Sequence, residues 1–128
     1  MTDDVCKMVL DSGVKLGLVN VQSMHTTAAV LVNENEPLLH EDFKRHLDEM
    51  LPVDHTEYRH DDFSVRTVNM CDDECANGHA HCKALHLPTS VTLNIVDGEV
   101  QLGRWQRIFF IELDRSRARQ MQVLVLGE

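Results

Sequence analysis

The chain has 128 residues, 43% of them hydrophobic and 26% charged, which argues for one folded domain over 1–128 and against disorder. Lys and Arg number 12 against 21 Asp and Glu, giving a formal net charge of −9, so neither a nucleic-acid surface nor an anionic-membrane surface is expected. No apolar run approaches the ~18–20 residues of a membrane span. The start Met1-Thr2-Asp3-Asp4 has no basic n-region, and the expected compartment is the cytoplasm.

Thr2 followed by Asp3 and Asp4 reads as a helix N-cap with acids in the first turn. Val5, Val9 and Leu10 mark an apolar face, and Gly13 marks the stop. Residues 18–24 and 27–33 are rich in β-formers and partly alternate, predicting two strands around His25. Residues 38–51 place Leu39, Phe43, Leu47, Met50 and Leu51 on one helical face, with Pro37 at its start and Pro52 past its end. Residues 52–77 have no clear period and include the acidic loop Asp61-Asp62.

A short helix is expected over 79–86. Ser90–Val96, the turn Asp97-Gly98 and Glu99–Leu102 form a hairpin signal. Two more strands are expected over Arg104–Leu113 and Gln120–Leu126. The fold class is α+β, with a mainly antiparallel, curled or barrel-like sheet and two or three helices. The expected core is Leu39, Phe43, Leu47, Ile95, Ile108 and Val123. So few helices leave an apolar face or edge that calls for a partner subunit.

The chemistry-bearing residues are unevenly placed. His55, His60, His79, His81 and His86, with Cys71, Cys75 and Cys82, lie between positions 55 and 86. Cysteines in a cytoplasmic chain read as thiols or metal ligands before disulfides. Cys71, Cys75 and His79 would share one face only in a helix, which Asn77-Gly78 opposes.

His25-Thr26-Thr27 sits at a strand junction, and Asn33-Glu34-Asn35 ends the next strand. Histidine suits a metal or a proton shuttle, and the hydroxyls and amides suit phosphate oxygens. A polar turn with side-chain-to-backbone bonds fits the same residues. The rings of His79 and His81 would align on a strand and diverge on a helix, with Lys83 nearby for a phosphate and His60 as a further contributor. Alternation along 104–112 puts Gln106, Phe110 and Glu112 on one face, looking into one cavity; packed Trp105, exposed arginines and an ion-paired Glu112 are the other reading. Arg104, Arg107, Arg115, Arg117 and Arg119 cluster near the C-terminus, suited either to a small phosphorylated anion or to solvent.

Taken together, His25-Thr26-Thr27-Ala28, Asn33-Glu34-Asn35, Tyr58-Arg59-His60, Asn77 with Ala80-His81 and Lys83-Ala84, Asp97-Gly98, Leu102-Gly103 with Trp105-Gln106-Arg107-Ile108, and Glu112 with Asp114 resemble the YjbQ-like family. The resemblance runs from about residue 3 to Glu128. Members are described as secondary thiamine-phosphate synthases, which join a pyrimidine pyrophosphate to a thiazole phosphate. The resemblance implies a pseudo-barrel α+β fold, a homotrimer and a histidine-lined cavity near the subunit contacts.

It further implies a divalent metal, zinc or magnesium, on His25, His60 and His81, with His79 next. His25, Thr26, Thr27, Asn35, Lys83, Gln106, Arg107 and Glu112 become the catalytic candidates, and Arg117 a phosphate or cofactor contact. The implied partner is a small phosphorylated substrate, with no nucleic acid and no membrane. Two other classes stay open: a different metal-dependent enzyme such as a hydrolase, with Glu112 as base, or a non-catalytic trimeric metal- or ligand-binding protein. Family members usually carry a further N-terminal strand, often Thr where Arg104 stands, and often Gly-Pro-Arg where Arg115-Ser116-Arg117 stands.

Overall fold

The structure, a computed structural model, describes residues 1–128. The elements in chain order are α1 (Thr2–Ser12), β1 (Leu16–Ser23), β2 (Ala28–Glu34), α2 (Pro37–Met50), a 3-10 turn (Arg59–Asp61), α3 (Gly78–Ala84), β3 (Ser90–Val96), β4 (Glu99–Val100), β5 (Gln106–Glu112) and β6 (Met121–Gly127). Every strand pairing is antiparallel. One sheet runs β4-β3-β1-β6, and β2-β5 form a separate two-stranded ribbon. The α+β expectation holds, and the curled sheets form a half-barrel. No helix is long and apolar enough to cross a membrane.

Strict alternation on three strands builds the core. Val19 and Val21 of β1, Ile95 of β3 and Val123 and Val125 of β6 turn inward, while Leu18, Asn94 and Leu124 turn out. Val30 and Ile108 meet them from the ribbon, and Val5 and Val9 close the core from α1. Each fully buried side chain of this kind contributes about 1.5–3 kcal/mol. The ribbon's other face carries Ala29 and Leu113, packed with Ala80 of α3 and partly with Leu47 of α2. The ribbon is therefore covered on both sides, which is why Ala28, Ala29 and Val30 are all buried.

Several expectations need correction. Thr2 is the first helical residue rather than the cap, and its hydroxyl accepts the Ile108 N–H at 2.9 Å, tying α1 to β5. Leu10 is 67% exposed, because the buried stripe of α1 runs through Val5 and Val9 only. Leu39 and Phe43 are half-buried and belong to neither core cluster. No residue of α2 is fully buried, since the helix stands off the ribbon and leaves a cleft beneath it. Pro37 opens α2 as expected, and Glu36 caps it through Leu38 N–H at 3.0 Å and Leu39 N–H at 2.8 Å. The Asp97-Gly98 turn has φ of 55° and 83°, the paired left-handed conformation of a tight hairpin.

The division between core and surface valines and leucines is measurable. Ile95→Ala is expected to cost about 2–5 kcal/mol of unfolding free energy. Leu10→Ala is expected to stay within about 0.5 kcal/mol. Urea denaturation of the two variants checks this, and equal losses would contradict the packing described.

Candidate functional site

The loop between α2 and α3 places the site. Asp61 has a fully covered side chain. Its Oδ1 accepts the N–H of Asn77 at 2.9 Å and of Gly78 at 2.8 Å, and its Oδ2 meets His55 Nδ1 at 3.1 Å. A residue sixteen positions upstream of Asn77 thus caps the short helix α3. Burial works to raise the Asp61 pKa, yet the Gly78 and Asn77 amides and His55 hold it below the usual aspartate value. Gly78 is required here on steric grounds, since a Cβ would stand 2.5 Å from Tyr58 Cβ. Tyr58 is held in turn by its hydroxyl, which donates to Pro52 O at 2.8 Å.

The clamp fixes the rotation of α3. His79 and Lys83, four residues apart, share one face, whereas His81 points to the other. Two cavities result, one on each side of α3.

The first, of about 410 Å³, is lined by His25, Thr26 and Thr27 from the β1–β2 junction, Asn77 and His81 from α3, and Arg117 and Arg119 before β6. Both guanidinium groups donate to Thr27 Oγ1, Arg117 at 3.2 Å and Arg119 at 3.0 Å. That oxygen's acceptor capacity is then filled, and its own proton remains to donate. Arg119 also forms a two-pronged pair with Glu112, and Arg117 pairs with Asp114 at 2.8 Å. Burial acts to raise the Glu112 pKa, but the Arg119 hydrogen bond and charge hold it below the ordinary value. Glu112 is therefore an anchored carboxylate rather than a free base.

His25 Nε2 accepts the backbone N–H of Gln120 at 2.7 Å. A backbone amide can only donate, so Nε2 is the accepting nitrogen and Nδ1 is the one left to donate. His81 lies against His60, ring centroids 4.6 Å apart at 62°. Burial first, then the nearby His60 and Arg66, depress the His81 pKa below the usual imidazole value. His60 Nε2 and Asn77 Oδ1 are buried without partners. Arg66 holds the surrounding loop by bonding Glu74 Oε1 at 3.0 Å, Asn69 O at 2.7 Å and His60 O at 3.4 Å.

The residues singled out from sequence divide into three groups. His25, Thr26, Thr27, His81 and Arg117 meet in the first cavity, and the carboxylate of Glu112 anchors its wall. Lys83 and His79 lie across α3 in the second cavity, because two residues on a helix turn the side chain by ~200°. Asn35, Gln106 and Arg107 are exposed at the far end of the ribbon, where Glu34 pairs with Gln106 while Ala28 pairs with Glu112. Six residues of strand separate Gln106 from Glu112 by roughly 20 Å. The expectation that both look into one cavity fails because Phe110, between them, packs toward the core. Gln106 instead accepts the Gly103 N–H at 2.7 Å, and Arg107 bonds carbonyls of its own loop.

The four-histidine metal set does not form within one chain. No group of three or more His, Cys, Asp or Glu side chains is arranged to hold a metal ion. His79 is on the wrong face of α3, and the Nε2 lone pair of His25 is already engaged. Cys71 and Cys75 do not align with His79, since residues 71–77 are not helical, and all four cysteines are free thiols. Asp61 has no place in the site expected from sequence, while Asn77 and Arg119 stand there only as members of a motif and of the arginine cluster. The alternation of Arg117 and Arg119 before a strand was the available signal for Arg119. Nothing local marks Asp61 as a cap.

A profile described as "UPF0047 protein YjbQ-like" matches residues 1–128. The chain belongs to this family. A UPF0047 protein of Methanothermobacter thermautotrophicus is 37% identical over 128 residues, covering 100% of this chain and 81% of the relative. UPF0047 protein YugU of Bacillus subtilis is 29% identical, over 99% of this chain and 87% of its own length. Among solved structures, a hypothetical protein of Aeropyrum pernix K1 superimposes with a TM-score of 0.83 at 36% identity, covering 99% of this chain and 86% of that one. A YbjQ-like protein of unknown function from Sulfolobus solfataricus P2 gives 0.78 at 33% identity, over 99% and 84%.

The Asp61 clamp makes a pH-dependent prediction. Asp61→Ala should cost about 1–3 kcal/mol at pH 7, because two buried amides lose their acceptor. The depressed pKa sets the sign: the wild-type advantage is complete above the unfolded aspartate pKa of about 3.9 and disappears as pH falls through the lower folded value. Urea midpoints of both proteins should differ constantly above about pH 5 and converge below about pH 4. A difference that persists unchanged to the acid limit would contradict this role.

Proposed function

We propose that the first cavity binds the phosphate groups of a small substrate, and that the chain is an enzyme of the secondary thiamine-phosphate synthase type. The observation that carries the phosphate reading is Thr27, whose hydroxyl is flanked by Arg117 and Arg119 with its own proton still to give. Guanidinium groups, a hydroxyl and the Nδ1–H of His25 are all donors, and donors on a fixed frame suit phosphate oxygens. The net charge of −9 elsewhere favours a small anion over a nucleic acid. The pyrimidine and the thiazole come from the family resemblance alone.

In that reaction the thiazole nitrogen attacks the pyrimidine methylene carbon. A C–N bond forms, the C–O bond to pyrophosphate breaks, and the electron pair leaves with the pyrophosphate. No proton need be removed from the nucleophile. The site's task is then to take up the charge that develops on the leaving oxygens. Arg117, Arg119 and the Thr27 hydroxyl would do so without reorganising, because Asp114 and Glu112 already hold the arginines in place. His81 and His25 would position the phosphates from the wall of the cavity.

The assay is formation of thiamine phosphate from the two phosphorylated precursors by purified protein. Arg119→Met should lower kcat/KM about 10²–10³-fold, the usual effect of losing one charge-stabilising donor. No product above the protein-free control, at any precursor concentration, would reject the synthase reading. Failure of inorganic pyrophosphate to bind in calorimetry would reject the phosphate reading as well.

We also infer that the assembled state is a homotrimer in the cytoplasm. Support comes from the open face of the larger sheet, where Leu16, Leu18, Leu124 and Leu126 are 58%, 44%, 54% and 58% exposed. The four free thiols accord with a reducing compartment. Light scattering should give a mass near three times 14.6 kDa, and a stable monomer at micromolar concentration would overturn the inference.

A further inference from the structure

The cleft beneath α2 is the second cavity, and the phosphate reading leaves it unused. Its volume is about 480 Å³, within the range of small-molecule sites. Phe43 and Leu47 of α2 face Phe109 and Ile111 of β5 across it, giving two apolar walls. Two of its polar side chains are almost completely covered. Lys83 and His79 are each only 5% exposed, yet both open onto the cavity.

The partners at that end are incomplete. His79 Nδ1 is buried with no hydrogen-bond partner. Lys83 Nζ donates to Asp48 Oδ1 at 2.5 Å, which uses one of its three protons. Lys44, whose side chain is 80% exposed, takes the other oxygen of the same carboxylate from the solvent side. The remaining acids of the lining, Glu112 and Asp114, are already paired with Arg119 and Arg117. The polar end thus holds a buried ammonium with protons to spare and one imidazole nitrogen lacking a partner.

We propose that this cleft binds a small carboxylic acid with an aromatic or branched apolar body, its carboxylate against Lys83 and His79 and its body between Phe43, Leu47, Phe109 and Ile111. The walls supply burial for the body, and the buried ammonium supplies a charge-assisted bond to the head. A single carboxylate is the head that fits, because Lys83 is the one buried ammonium of the lining and Asp48 already takes one of its protons. The two cavities open on opposite faces of α3 and share the Glu112–Arg119 and Asp114–Arg117 pairs as a wall, and the proposal does not depend on the reaction assigned to the first.

The test uses the purified full chain and three probes followed by amide and methyl NMR: 3-phenylpropanoate, 3-phenylpropan-1-ol and acetate. The expected result is saturable shifts around Leu47, Lys83 and Ile111 with 3-phenylpropanoate, and binding at least about tenfold weaker for the alcohol, the worth of one charged hydrogen bond. Acetate should bind weaker still. Leu47→Trp, which fills the cleft, should abolish the shifts while keeping a dispersed spectrum. Lys83→Met should weaken the acid and leave the alcohol unchanged; if that variant does not fold, Leu47→Trp and the probe series decide alone. Equal binding of acid and alcohol, or shifts that survive Leu47→Trp, would overturn the proposal. So would the absence of saturable shifts at millimolar probe.

Discussion

The bonds from Asp61 to the first amides of α3 are the constraint on which both cavities depend. A helix of seven residues has little stability of its own. Its orientation comes from a carboxylate donated by a distant loop and from Gly78, whose missing Cβ lets Tyr58 lie against the backbone. Rotating α3 by a third of a turn would move His81 out of the arginine cavity and Lys83 out of the cleft under α2. The long segment after α2 is therefore not filler between elements. Arg66 and Glu74 fasten its far part, and Tyr58 and Asp61 fasten the part that touches the helix.

The arginine cavity is an arrangement of paired charges around one hydroxyl. Glu112 and Asp114 cancel much of the positive field, so the cavity holds its guanidinium groups without strong mutual repulsion. The same pairing fixes the planes of the arginines and spares a ligand the entropic cost of ordering them. Two histidines border this frame. A backbone amide engages Nε2 of His25, while burial first, then His60 and Arg66, lowers the His81 pKa.

The strands and α2 were legible because their signals are local. Alternation of Val19 and Val21 with Leu18 and Asn20 is written in the residues themselves, and Pro37 and Asp97-Gly98 act within a few positions. The family motifs name His25, Thr26, Thr27, Asn77 and His81, all of which line the arginine cavity. Three-dimensional facts explain the misses. Leu39 and Phe43 have the right spacing for a core helix, but spacing cannot say how far the helix stands from the ribbon. Lys83 follows His81 closely in sequence, and only the helical turn sends them apart. Asp61 reads as half of an exposed acidic pair, because its partners, Asn77 and Gly78, lie beyond a loop with no period.

The ribbon β2–β5 imposes a last condition. It holds His25, Thr27 and Glu112 at one end and Asn35, Gln106 and Arg107 at the other, and a strand cannot shorten. Trp105 stands at that second end, 61% exposed, with the Arg104 guanidinium 4.6 Å above its ring. The stacked pair and its neighbours project away from the core instead of filling it, in a loop held by the Gln106 side chain on Gly103. A site that used both ends would have to be assembled from two copies, the histidine and arginine end of one meeting the tryptophan end of the next. A two-fold pair meets that condition twice over, each copy's tryptophan end against the other's arginine end, and a ring meets it once per neighbour. The length of one ribbon thus keeps its two ends from serving a single cavity within one chain.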